Sequence, residues 1–172
     1  MECKKSTICG NCKCNMQKSK TQDAARKSLK LKTFMNICES LSALSHDEKY
    51  KVATIITDDN FREVYSIGYN GDYKSGPNIR TDFDHGQSGF LHSEENALMH
   101  LSKPYELRAN LILFCTHKPC TMCAKRIANS GIKKIVYKNE YEDALNQTDE
   151  IFLRAGVSCH NFEVLYGSIE NL

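Results

Sequence analysis

The chain has no tryptophan and only three prolines in 172 residues. It has no apolar run approaching the roughly 20 residues that a membrane-spanning helix needs. Its N-terminus carries no apolar core of a secretory signal. These absences predict a protein of a reducing, cytoplasmic compartment with no membrane role. Nine cysteines would suit a disulfide scaffold in a secreted chain; here metal ligands and reduced core thiols are expected instead. The length and the ordinary hydrophobic and charged fractions, 41% and 26%, fit one globular domain with a single sizeable core.

Acidic residues are scarce at one end. Residues 1–32 hold nine Lys/Arg against Glu2 and Asp23, a balance of +7, while the remainder is net −5. Such a basic arm can bind nucleic acid, or serve as a solvated extension. Residues 1–22 are polar and aperiodic and read as an irregular, cysteine-bearing extension. Residues 23–172 read as the catalytic domain.

Apolar residues at three- and four-residue spacing (Leu31, Phe34, Cys38, Leu41) predict a helix from about Asp23. Lys51–Thr57 is β-branched and reads as a buried strand. Asp58-Asp59-Asn60 is turn chemistry, and Arg62–Tyr69 is the returning strand. Residues 70–91 form the longest loop. Helices are expected at Ser93–Leu101, Cys120–Ser130 and Asp149–Ala155, the last two capped by Gly131 and Gly156. Strands are expected at Asn110–Cys115, Lys133–Tyr137 and Ser158–Leu165. This order implies an α/β fold, a sheet layered with helices.

His92-Ser93-Glu94 and Pro119-Cys120-Thr121-Met122-Cys123 carry the chemistry. Cys120 and Cys123, at i and i+3, can face one way from the first turn of a helix. That turn's partial positive charge favours thiolates. With His92 they make three zinc ligands, the number found in catalytic sites, where a fourth position is open to water. A closed structural site would need a fourth ligand, for which Cys115, His117 and His100 are near in sequence.

The H-x-E and P-C-x-x-C halves, together and in order, resemble the zinc-dependent cytidine/deoxycytidylate deaminase superfamily. Further segments resemble its deoxycytidylate (dCMP) branch. They are Phe34-Met35, Gly68-Tyr69-Asn70-Gly71, His92–Ala97, Ser130–Lys134 and the Leu-Arg-Ala-Gly-Val ending of Asp149–Val157. The resemblance implies a three-layer α-β-α fold on a five-stranded mixed sheet. It implies hydrolysis of dCMP to dUMP and ammonia, with water attacking C4 and Glu94 as proton shuttle rather than ligand. A base in tRNA or single-stranded nucleic acid, or a modified or free nucleoside, is the alternative substrate. A non-catalytic scaffold is a third reading. The resemblance also implies a homo-oligomer.

Asn70, Ser93 and Thr116 are the expected substrate contacts. Lys74, Arg80 and Lys118 are the candidate cations for a 5′-phosphate. The chain departs from the family at Leu44, where Arg is usual, at Ala53, where Gly is usual, and at Ser93, where Ala is usual. Residues 72–91 hold His85 and no cysteine, unlike the Cys/His-rich regulatory insertions of some members. Cys9, Cys12 and Cys14 have metal-ligand spacing. With Cys3 or Cys38 as a fourth thiolate they form a candidate second, structural zinc site, although Cys38 also falls on the apolar helix face. Cys115 and Cys159 lie in expected strands and read as core.

Overall fold

A computed structural model describes residues 10–82, 88–141 and 145–170, with only the backbone given for 10–21 and 170. Five strands form one sheet: β1 (Ala53–Asp58), β2 (Val64–Tyr69), β3 (Leu111–His117), β4 (Lys134–Asn139) and β5 (Ser158–Asn161). Their spatial order is β2-β1-β3-β4-β5. β1 runs antiparallel to β2 and β3, whereas β3, β4 and β5 are mutually parallel. The sheet is therefore mixed.

Alternation along the central strands sends side chains into two separate cores. Ile55, Ile112 and Phe114 meet Leu31, Met35, Cys38 and Phe162 on one face. These come from α1 (Gly10–Ser42) and α5 (Phe162–Glu170). Ile56, Leu113, Cys115 and Ile135 meet Ala97, Ala124, Ile127 and Phe152 on the other. Those residues belong to α2 (Ser93–Met99), α3 (Thr121–Ser130) and α4 (Thr148–Ala155). The result is the expected three-layer α-β-α arrangement. β1 and β3 are buried along almost their whole length because both faces are covered.

Gly131 closes α3 at φ 89° and Gly156 closes α4 at φ 62°, the left-handed conformation in which glycine carries no Cβ penalty. Gly68 has a different task. A Cβ built there would come within 2.2 Å of the Ser93 carbonyl oxygen. Only glycine lets β2 approach the start of α2 this closely.

The structure differs from the sequence reading at three places. α1 begins at Gly10, not near Asp23. Residues 10–22 have no apolar period, but they also have no proline, and Lys, Gln and Met are good helix formers. The last strand stops at Asn161, and the chain turns helical where a strand to Leu165 was expected. Phe162, Leu165, Tyr166 and Ile169 repeat at helical spacing and pack in the core against α1. A short 3-10 turn, Tyr105–Asn110, precedes β3.

Phe114 is fully buried, with its ring centroid 6.1 Å from that of Phe34 and 6.0 Å from that of Phe61. Phe114→Ala should cost about 3–5 kcal/mol, read as a lowered urea midpoint with little change in slope.

Candidate active site

Two helix N-termini meet at the site. His92 precedes α2 in extended conformation and occupies its N-cap position. Cys120 does the same for α3, where its Sγ accepts a hydrogen bond from the Cys123 amide at 3.4 Å. Each cap turns its side chain back over the first turn. His92 Nδ1 then lies 3.5 Å from Cys120 Sγ and 3.4 Å from Cys123 Sγ. All three ligand atoms fall within 4.8 Å of one another. A tetrahedral zinc with ordinary Zn–S and Zn–N bonds would set each N···S edge at about 3.6 Å. The donor set and its spacing fit zinc. Among the described residues no fourth His, Cys, Asp or Glu joins the group. Cys115 Sγ is instead engaged by Thr54, and His100 is an exposed residue bonded to the Asn96 carbonyl. The arrangement is therefore a three-ligand one.

Protons are shared unevenly within the triangle. Hydrogen bonds from Cys123 and His92 pull the Cys120 thiol down to about 4. The bond to Cys120 pushes His92 up to about 9. Cys123, donor to Cys120 and buried, is pushed up. Before a metal binds, the triangle thus holds one thiolate, one thiol and one imidazolium at neutral pH.

Glu94 lies beside the triangle and is not one of its members. It is 4% exposed. Burial raises its carboxyl above the ordinary value, against the charge of His92. Ser93 Oγ donates to Glu94 Oε2 at 3.0 Å and also meets Thr54 Oγ1 at 2.8 Å. One carboxylate oxygen is therefore held by the β1 side of the site.

These groups open into a single cleft. It is lined by His92, Ser93, Glu94 and Cys120, by His117, Lys118 and Tyr141, and by Asp47, Tyr50, Val52, Asn70, Arg80 and Ser88. Residues 28–139 match the cytidine and deoxycytidylate deaminase zinc-binding region. The chain belongs to the cytidine and deoxycytidylate deaminase family. An uncharacterised deaminase of Aliivibrio fischeri is 30% identical over 136 residues, 73% of this chain and 88% of that one. The deoxycytidylate deaminase of phage T2 is 35% identical over 71 residues, 41% of this chain and 38% of that one. The crystal structure of the dCMP deaminase of cyanophage S-TIM5, in complex with dCMP and dUMP, superposes with a TM-score of 0.65 at 30% identity. That match covers 76% of this chain and 94% of the phage chain. The protein is an enzyme acting on C–N bonds, of the dCMP deaminase family.

Several residues expected to touch substrate are otherwise engaged in this deaminase. Asn70 lines the cleft, but its amide is saturated. Nδ2 donates to Asp47 Oδ2 at 3.2 Å and to the Tyr50 carbonyl at 2.7 Å. Oδ1 accepts from Ser45 Oγ at 2.6 Å and from the Val52 amide at 2.8 Å. Asn70 therefore shapes the wall. Thr116 is buried outside the cleft lining, its Oγ1 accepting from the Ala53 amide at 3.1 Å. Ser93 directs its hydroxyl at Glu94 and Thr54. Of the three candidate cations, Arg80 and Lys118 line the cleft, whereas Lys74 is exposed and lies outside it.

Asp47 and Tyr50 were missed by sequence reasoning. Asp47 is 2% exposed and receives both Arg80 Nη1 contacts, at 2.6 and 2.7 Å, across 33 residues of chain. No local pattern announces that pairing. The candidate second zinc site does not assemble around Cys38. Its Sγ is buried in the core, donating to the Ala53 carbonyl at 3.3 Å. Cys14 lies 24 residues earlier on the same helix, about 36 Å away along its axis. Cys3, Cys9 and His85 lie outside the described residues, as do the side chains of Cys12 and Cys14.

Zinc must displace the His92 and Cys123 protons from the triangle, so its affinity should climb as pH rises. Between pH 6 and 8 the expected gain is about 100-fold per unit, since two protons leave. Above about 9, where His92 is already neutral, the slope should fall to about tenfold per unit. Competition with a chromophoric chelator measures both regimes.

Proposed function

We propose that this enzyme hydrolyses the exocyclic amino group of deoxycytidine monophosphate, giving dUMP and ammonia. The observation that carries the proposal is the buried Glu94 carboxylate beside the His92–Cys120–Cys123 triangle, in the lining of one cleft. Zinc held by those three residues would supply a water activated near neutral pH. Glu94 does the proton work. It accepts one proton from the attacking water and passes it to the ring nitrogen N3, then takes the second from the new C4 hydroxyl and delivers it to the departing amine, which leaves as ammonia. Burial favours a group that can carry that proton as well as give it up. Ser93 holds Oε2 of the carboxylate, which leaves Oε1 for the reacting atoms.

Two cleft cations compete for the role of phosphate partner, and the energetics separate them. Arg80 and Asp47 are 6% and 2% exposed. Removing one member of such a buried pair leaves an uncompensated charge and costs several kcal/mol, about 3–5. Lys118 is paired at 2.9 Å with Asp149, which is 75% exposed, and lies 3.8 Å from Glu140, which is 62% exposed. A pair with one partner in solvent is worth about 0–1 kcal/mol. Lys118 can exchange Asp149 for a phosphate at little cost, and Arg80 cannot leave Asp47. We therefore assign the phosphate to Lys118 and the shape of the cleft wall to Arg80.

Glu94→Gln should lower turnover of dCMP by at least about 10²–10⁴-fold with zinc content and dCMP affinity retained. Ammonia release from dCMP, CMP, cytidine and a cytosine-containing oligonucleotide tests the substrate. Release from the oligonucleotide alone would overturn the assignment.

Lys118→Gln should raise KM for dCMP about tenfold, the order of one charge-assisted hydrogen bond, and leave turnover of deoxycytidine unchanged. An equal loss on both substrates would remove Lys118 from phosphate recognition.

A further inference from the structure

The first half of α1 takes no part in the deaminase site and falls outside the family match, which begins at residue 28. The helix runs 18 residues, about 27 Å, ahead of Ser28, the first of its described side chains to be buried. Between Gly10 and Lys32 it carries seven cations (Lys13, Lys18, Lys20, Arg26, Lys27, Lys30 and Lys32) against Asp23.

The cations of the body are divided: among the described residues Lys51, Lys74, Lys125 and Lys133 meet no carboxylate either, whereas others are paired. Arg80, Lys118, Arg126, Lys134, Lys138 and Arg154 each meet a carboxylate. Among the described residues, Arg26, Lys27, Lys30 and Lys32 meet none. Arg26 and Lys27 are exposed. Lys30 donates to the Asn60 carbonyl at 2.9 Å, and Lys32 lies over the Tyr166 ring at 5.6 Å. Neither contact neutralises the charge. The four described cations of this stretch thus keep their charge, ahead of a remainder that is net −5.

We infer that the basic half of α1 binds the phosphate backbone of double-stranded nucleic acid. Composition decides between polyanions. A helix that lies on a lipid surface needs an apolar face to insert, and residues 10–27 offer only Met16, two alanines and two cysteines as apolar positions. The same poverty excludes a coiled-coil seam. The segment has no aromatic residue on which unstacked bases could stack. What remains is charge along a rod, which suits the dense, regular phosphates of a duplex and carries no sequence preference. This inference does not depend on the assignment of dCMP as substrate.

The test uses the full chain and a labelled 30-base-pair dA·dT duplex, which contains no cytosine and so cannot report the active site. Fluorescence anisotropy should show a Kd of about 1–10 µM at 50 mM salt. With about five phosphates neutralised, affinity should fall about 500-fold by 200 mM salt. K18Q/K20Q/R26Q/K27Q should weaken binding at 50 mM salt at least about 100-fold, while K18R/K20R/K27R keeps it. Unchanged turnover of the mononucleotide in both variants shows that the domain is folded. Absence of binding at 50 mM salt would overturn the inference. So would undiminished binding by the glutamine variant, or equal binding to vesicles of anionic phospholipid.

Discussion

The meeting of two helix N-termini is the constraint on which the rest of the site depends. α2 and α3 lie on the same face of the sheet and begin side by side, so their unpaired amides and positive ends converge. A thiolate is stable there and a neutral environment would not hold it. Cys120 as N-cap satisfies one amide and presents its sulfur to His92 in the same act. The close approach of β2 to α2 at Gly68 fixes the height of His92 against the sheet. β3, two positions along the sheet from β2 and beyond β1, leads into Cys120. A shift of either strand would move one ligand and leave the other behind.

Another part of the cleft lining is built on different physics. Ser45, Asp47, Tyr50, Val52 and Asn70 share one network of buried hydrogen bonds, with Arg80 closing it through a two-oxygen contact to Asp47. Here every Asn70 amide position is taken. The network ties the end of α1, the start of β1 and the end of β2 to the loop that follows. It gives the cleft a rigid polar lining, and it uses Asn70 to do so.

How much was legible in the sequence follows from the range of each interaction. The zinc ligands and Glu94 stood out because two short segments, each preorganised by its own helix start, carry the whole constellation. The hairpin from Ala53 to Tyr69 and the glycine stops at 131 and 156 are equally local. The Asp47–Arg80 pair joins positions 33 residues apart in segments of no periodicity, so only the folded chain reveals it. Thr116 looked like a pocket residue by its position beside His117. Strand alternation turns its hydroxyl to the Ala53 amide. α5 was hidden because β5 and its helical period share Ser158–Leu165, and packing against α1 decides where one ends and the other begins. The first turns of α1 were hidden because no apolar stripe marks them.

Charge poses the last problem for this enzyme. The portion after residue 32 is net −5, and the proposed mononucleotide substrate is itself an anion. Beyond about 8 Å such charges are largely screened at physiological salt, so the domain's overall sign matters less than the groups in the cleft. There, Arg80 is cancelled by Asp47, and two thiolates would neutralise a bound zinc. The remaining positive groups are the two helix N-termini and Lys118, whose partners Asp149 and Glu140 are mostly in solvent and cancel it weakly. On the proposed function, attraction of the substrate falls to the two helix N-termini and Lys118. An anion without a base to reach the triangle gains only part of it. A neutral nucleoside gains none of the contribution from Lys118.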